Sequence, residues 1–183
     1  TAGIYDLSKF SPVIDTSSDT EDRYQIDACE THWNFLSDTK KVPERGKDSY
    51  ARVEILYGGA GSGKSFTVAQ YLVTEEWAKT TGARWYIIRK TSNSLKTSSY
   101  HLIKFMCDKY NVPFKENKTD KILWINGNEL LFRGLDDPEK IKSTDVNSVW
   151  VEEATELSQD DFEQFDLRTR LQVPEGCRRN RLI

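Results

Sequence analysis

The stretch Glu54-Ile55-Leu56-Tyr57-Gly58-Gly59-Ala60-Gly61-Ser62-Gly63-Lys64-Ser65-Phe66 constrains the chain more than any other. An apolar run ends in a glycine-rich turn that opens directly into a helical pattern. The turn satisfies G-x-x-x-x-G-K-[ST] with Gly58, Gly63, Lys64 and Ser65 at the fixed places, and a strand before and a helix after are the context that gives this motif its meaning. Glycines let successive backbone N–H groups turn inward around a polyphosphate where a side chain would collide with it. Lys64 adds a mobile point charge for β- and γ-phosphates, Ser65 a hydroxyl for Mg²⁺, and the helix dipole points its positive end at the same anion. The pattern therefore implies a nucleoside triphosphate site built from Gly58, Gly59, Ala60, Gly61, Ser62, Gly63, Lys64, Ser65 and Phe66.

Around this loop the chain reads as an alternation of strands and helices. Phe66, Ala69, Leu72, Val73 and Trp77 recur at helical spacing to about Lys79, and Thr80-Thr81-Gly82 closes that helix. Arg84 to Arg89 reads as a buried strand, and Leu95, Leu102, Ile103, Met106 and Tyr110 mark a helix ending before Pro113. Such βαβα order predicts a mostly parallel sheet with helices on both faces. Asn126-Gly127 between Lys121–Ile125 and Asn128–Phe132 predicts an inserted antiparallel hairpin. Asp137 and Pro138 are placed to cap and start a short helix reaching Lys142.

Ser148 to Val151 is an apolar strand that finishes in Glu152 and Glu153, and Ser158 opens a further helix with Asp160 and Asp161 in its first turn. In a phosphate-loop protein an acid at the end of such a strand completes the Mg²⁺ shell opposite the Ser or Thr, and a neighbouring Glu can deprotonate the attacking water. Glu152 is expected on the metal and Glu153 as the base. Successive strand residues point to opposite sides, so the division of labour requires the strand to break there. An acidic turn ahead of a helix is the alternative use of the same residues.

Composition adds bounds rather than identity. At 183 residues, 37% hydrophobic and 30% charged, the chain suits one α/β domain. The net charge of −3 leaves no global footprint for nucleic acid, so DNA contact would need a local patch or another part of a longer protein. Cys29, Cys107 and Cys177 are far apart and outside any C-x-x-C spacing, which points to free thiols in a reducing compartment. His101 sits in a helical pattern without a second ligand at metal spacing. No apolar stretch is long enough to span a bilayer. Residues 1–50, rich in Asp, Ser and Thr, read as an extension packing on a core formed by residues 51–183. Arg181-Leu182-Ile183 opens a new apolar run.

Taken together, several segments resemble the large terminase subunit of tailed bacteriophages. They are Tyr57–Ser65, Ile87-Ile-Arg-Lys-Thr91, Phe132-Arg-Gly-Leu-Asp-Asp-Pro-Glu-Lys-Ile-Lys-Ser143, Trp150-Val-Glu-Glu-Ala-Thr-Glu-Leu157 and Asp166-Leu-Arg-Thr-Arg-Leu171, spanning about Arg52 to Leu171. The resemblance implies an additional-strand, RecA-like P-loop ATPase core using ATP and Mg²⁺, with Gly58–Ser65 as the Walker A loop, Glu152 as the Walker B acid and Glu153 as the catalytic glutamate. It implies a motor that translocates double-stranded DNA into a procapsid, as a ring docked on the portal protein and served by the small terminase subunit. Such a motor works in the cytoplasm of the infected host and is absent from the mature virion. The family's coupling motif, lid and nuclease are expected after Ile183, as is the strand that commonly carries a γ-phosphate sensor. A RecA-like helicase, or a nucleotide-binding fragment without turnover, shares the same two motifs.

The sequence departs from the family at three places. Ala60 stands where many relatives carry an arginine, Glu152 where Asp is commoner, and Lys142 where some relatives have an arginine that reaches a neighbour's nucleotide. A trans-acting arginine can be worth ~10³–10⁵ in rate, and Lys142, Arg168 and Arg170 are the positive groups placed to substitute for one. On a continuous helix Arg168 and Arg170 would point about 200° apart, so at most one would enter a given site. A solvated surface charge is the commoner use of each.

Overall fold

The computed structural model describes residues 12–13, 26–27, 32, 36, 53–136, 139, 141, 143–172 and 180–183. Two short strands, β1 (Pro12–Val13) and β2 (Ile26–Asp27), pair with each other. The core is a mixed sheet in the order β4-β5-β6-β3-β7, where β3 is Arg84–Arg89, β4 Phe114–Asn117, β5 Ile122–Ile125, β6 Asn128–Gly134 and β7 Ser148–Val151. β6, β3 and β7 run parallel, whereas β4 and β5 are antiparallel additions at one edge. The hairpin turns at Asn126 (φ 48°) and Gly127 (φ 77°), a pair of left-handed residues whose twist suits a two-residue connection. β4 is a strand that the hydrophobic pattern leaves unmarked.

Alternation along β3 builds two cores. Trp85 and Ile87 face a cluster with Phe66, Leu72, Trp77, Ile103 and Phe132, while Tyr86 and Ile88 face Val149, Phe165 and Leu182 on the opposite side. The first face is covered by α1 (Lys64–Tyr71) and α3 (Ser99–Lys109), and the second by α4 (Gln159–Arg168). α1 continues as a π-helix over Leu72–Trp77. The Thr74 hydroxyl occupies the Gln70 carbonyl at 2.9 Å, the acceptor that an α-helical Thr74 N–H would use, and a side chain inserted in the ladder is a recognised cause of such widening.

The expected helix over Leu95–Tyr110 is two helices. α2 (Ser92–Thr97) and α3 meet at Ser98, whose φ −120° and ψ −102° leave the helical region. α2 is braced against the end of β6: the Asp136 carboxylate accepts from the Ser92 N–H (3.0 Å) and hydroxyl (2.8 Å). A Cβ on Gly134 would lie 2.2 Å from Asp136 Oδ1 and 2.3 Å from the Ser92 nitrogen, so only glycine lets the strand end approach this closely. Asp137, Pro138 and Lys142 lie outside the described residues; Glu139 and Ile141 are helical. Ser158 caps α4 in a reciprocal capping box with Asp161.

The sheet continues past β7. Leu182 bridges Val149 on one side and Val53 on the other, both in parallel. Val149 N–H donates to Arg181 O (2.8 Å), Val151 N–H to Ile183 O (2.7 Å), and Glu54 N–H to Leu182 O (2.8 Å). The chain before the glycine loop is thus separated from β7 by one inserted parallel segment, the additional strand. Arg181, Leu182 and Ile183 supply the residues of it that the structure describes. Arg181 anchors the insertion: its guanidinium is 4% exposed, paired with Glu54, 3.2 Å from Glu76 and 5.2 Å from the Tyr71 ring centroid. Removing one partner of a buried pair leaves an uncompensated charge, so Arg181→Ala is expected to lower stability by about 3–5 kcal/mol. The joint Arg181→Met/Glu54→Gln variant should lose less. Urea denaturation followed by tryptophan fluorescence measures both.

Candidate active site

The glycine turn is formed as the sequence implies. Gly58, Gly61 and Gly63 hold φ values of 151°, 73° and 81°, a run of dihedrals that side chains disfavour. Gly63 ends the turn and α1 begins at Lys64, so the first N–H groups of the helix have no intrahelical acceptor and face the loop. Lys64 folds back over the loop, donating to Gly58 O (2.8 Å), Gly59 O (3.0 Å) and Ser62 Oγ (3.2 Å). Phe66 is 3% exposed within the core, so only its backbone is available to a ligand. Ala60 is exposed at the turn.

β7 ends at Val151, and the two carboxylates that follow diverge. Glu152 is 8% exposed on the α1 face, tied to the sheet by its N–H to Ile88 O (2.9 Å). Its Oε2 accepts from Ser98 Oγ (2.7 Å) and Ser99 Oγ (2.5 Å). Glu153 turns into the left-handed region (φ 60°, ψ 55°) and is exposed, just ahead of the 3₁₀ turn Ala154–Glu156. Non-glycine residues in this region carry strain of about 1–3 kcal/mol and gather at functional sites. The strand therefore ends as the two carboxylates begin, and their side chains part. A cavity of about 610 Å³ is lined by Gly58, Ala60, Lys64, Ser65, Glu152 and Glu153 among others.

One hydroxyl and one carboxylate in one cavity suit Mg²⁺, which takes one or two carboxylates and completes its shell with phosphates and water. Among the described residues no group of three or more His, Cys, Asp or Glu side chains is arranged to hold a metal by itself. Cys107 is buried, and burial pushes its thiol up to about 12, so it is inert; Cys29 and Cys177 lie outside the described residues. His101 is exposed on α3, edge-on to Tyr100.

The positive groups fall elsewhere. Arg168 is the last residue of α4, Thr169 breaks the helix (φ −82°, ψ 65°), and both arginines turn to one carboxylate. Asp145 Oδ1 lies 3.7 Å from Arg168 and 3.0 Å from Arg170, and the Arg170 guanidinium holds its carboxyl below the usual range. The helical separation expected of this pair is corrected accordingly: the helix does not reach Arg170. Neither arginine lines the cavity, and Lys142 lies outside the described residues.

The family described as phage terminase large subunit matches residues 50–179. The chain belongs to that family. It is 31% identical over 137 residues to the terminase large subunit of Bacillus phage SPP1, a match covering 68% of this chain and 32% of the relative. The PBSX phage terminase large subunit of Bacillus subtilis is 27% identical over 126 residues, covering 67% and 28%. The chain thus spans about a third of the length of these terminases. Among solved structures, the large terminase of the thermophilic bacteriophage D6E in complex with ADP superposes with a TM-score of 0.65 at 17% identity, covering 84% of this chain and 37% of that one. The large terminase ATPase domain of Thermus phage P74-26 gives 0.52 at 13%, covering 70% and 62%. At these identities the likeness speaks to the fold, which is the additional-strand, RecA-like P-loop fold of terminase ATPase domains.

One neighbour of the loop carries no motif. His32 is lowered from its ordinary value by burial and then by the charge of Lys64. An anion bound at Lys64 opposes that charge and favours the imidazolium. The chain has only two histidines, so the His32 signal can be followed by NMR titration: ADP should raise the His32 pKa.

Proposed function

We propose that this chain is the ATPase core of a DNA-packaging motor. ATP binds at Gly58–Ser65, Ser65 and Glu152 hold Mg²⁺, and Glu153 activates the attacking water. The observation that carries this reading is the single cavity shared by the glycine loop, Ser65, Glu152 and the left-handed Glu153, in a chain of the terminase family. Mg²⁺ there would neutralise charge on the β- and γ-phosphates. Every other role falls to the chain.

Lys64 leaves the Gly58 and Gly59 carbonyls, which have no charge to hold it, for phosphate oxygens that do. The loop amides orient the γ-phosphate in line with the nucleophile. Glu153, exposed beside the cavity, takes the water proton as the new O–Pγ bond forms. The Pγ–O bond to ADP breaks, and the proton passes on to the phosphate product. A carboxylate aimed by a strained turn, rather than by a flexible loop, holds the water in one place.

The family reading extends this to translocation of double-stranded DNA into a procapsid, with the portal protein and the small terminase subunit as partners and a ring of copies as the working assembly, in the cytoplasm of the infected host. A positive group supplied in trans, with Lys142, Arg168 and Arg170 as the sequence's candidates, completes that picture. No helix among the described residues is long and apolar enough to cross a membrane.

Lys64→Ala should weaken ATP-γ-S binding by ~10²-fold, about 1.4 kcal/mol per decade, as expected for loss of two charge-assisted bonds. Glu153→Gln should retain binding within a few-fold and lose phosphate release by ~10²–10⁴, the range of general-base catalysis. Calorimetry and a phosphate-release assay separate the two variants. Equal nucleotide affinity in wild type and Lys64→Ala would refute the site, and undiminished turnover in Glu153→Gln would refute the base.

A further inference from the structure

The carboxylate assigned to the metal is held by a device that neither the glycine loop nor the β7 strand supplies. Ser98 and Ser99 both donate to the same oxygen of Glu152, Oε2, at 2.7 and 2.5 Å. Oε1 takes no hydrogen bond from the described residues. Both hydroxyls come from the junction of α2 and α3, where Ser98 alone breaks a helical path. Ser99 is fully buried.

A buried carboxylate needs hydrogen bonds wherever it sits, so satisfaction alone would explain a hydroxyl. It does not explain why two converge on one oxygen and leave the other open beside a cavity that Glu152 lines. Two donors on one oxygen fix the plane of the carboxylate and the face it presents. Glu152 is one methylene longer than aspartate and has one more torsion to restrain, which makes external restraint more consequential.

We infer that Ser98 and Ser99 are positioning residues for Glu152, clamping Oε2 so that Oε1 is the oxygen offered to Mg²⁺. The inference rests on the reading of Glu152 as the metal-side acid. The two serines are not equivalent. A hydroxyl has one proton, and Ser98 Oγ also lies 2.8 Å from Ser94 O, so its proton serves Glu152 or the last turn of α2 but not both at once. Ser99 has no such competitor among the described residues and is the firmer clamp.

Partners that orient a metal ligand typically account for 10–100-fold in metal affinity or activity when removed. The test uses Mn²⁺ as a spin probe in the full-length chain, titrated by EPR in the presence of saturating ADP, with metal-free ADP affinity measured beside it. Ser98→Ala/Ser99→Ala should weaken Mn²⁺ binding by ~10–100-fold while metal-free ADP affinity stays within twofold. Ser99→Ala should weaken it more than Ser98→Ala, and Ser98→Thr, which keeps the hydroxyl, should restore the wild-type value. If the variants at the buried Ser99 fail to fold, the comparison of Ser98→Ala with Ser98→Thr decides at the less buried position. Unchanged Mn²⁺ affinity in variants that fold overturns the inference, as does an equal loss of metal-free ADP binding, which would mark a structural role. Glu152→Gln separates the two levels. If it weakens Mn²⁺ binding and the serine variants do not, the clamp alone is wrong; if it has no effect, the metal-side assignment of Glu152 is wrong as well.

Discussion

The buried Arg181 guanidinium holds together the part of the sheet on which the site depends. Among the described residues the segment before the glycine loop has one paired neighbour, the short stretch around Leu182, and parallel pairing of so few residues contributes little by itself. Arg181 adds what the ladder lacks. Its planar fork reaches Glu54, on the strand leading into the loop, and Glu76, on the helix leading out of it, while its face rests on Tyr71. A lysine could supply the charge but neither the second direction nor the stacking. One side chain thus ties both arms of the glycine loop to the strand beside β7. The spacing follows: Val53 and Val149 are two strand steps apart, roughly 10 Å, which leaves room for phosphates and a cation between the loop and Glu152.

The other wall of the site is braced from the opposite side. Glu152 hangs on the Ser98–Ser99 junction, α2 begins at Ser92, and Ser92 is held by Asp136 at the end of β6. Gly134 and Asp136 belong to the Arg-Gly-Leu-Asp-Asp stretch on which the family resemblance rests, and their positions give that stretch a physical meaning. Gly134 removes the Cβ that would collide with Ser92, and Asp136 caps the helix whose far end carries Ser98. A sequence signature distant from the glycine loop is therefore a support for the carboxylate facing it.

What could be read from residues alone divides along the strength of local signals. The glycine loop, the Asn-Gly hairpin and the capped helix start at Ser158 are each specified within a few residues by backbone chemistry, and each forms as read. Glu152 and Glu153 were legible as a pair because an apolar strand runs into them, and their divergence is visible only in Glu153's left-handed dihedrals. Features set by tertiary context were not legible. β4 has the sequence Phe-Lys-Glu-Asn, too polar to mark a strand, and exists because β5 offers it an edge. The helix break at Ser98 occurs without Gly or Pro, where the serine hydroxyls meet Glu152, more than fifty residues away. The residues described for the additional strand read only as the start of an apolar run, and their place beside β7 is set by pairing with Val149 and Val53.

Ala60 bears on the charge balance of the whole site. In this loop Lys64 is the only cationic side chain, and at rest it is bonded to backbone carbonyls rather than to an acid. Among the described residues it has no ion-pair partner that an incoming triphosphate would have to displace. A single lysine and one divalent cation leave a triphosphate incompletely neutralised, so the transition state gains from any further positive charge. Arg168 and Arg170 are poorly placed to give it within their own subunit, since both face Asp145 and neither lines the cavity. Arg170 is nonetheless 62% exposed on its side chain, and a solvent-screened pair of this kind is weakly held. Within its own chain Arg170 is thus a surface charge held lightly by Asp145, and the positive charge of the glycine loop itself rests on Lys64.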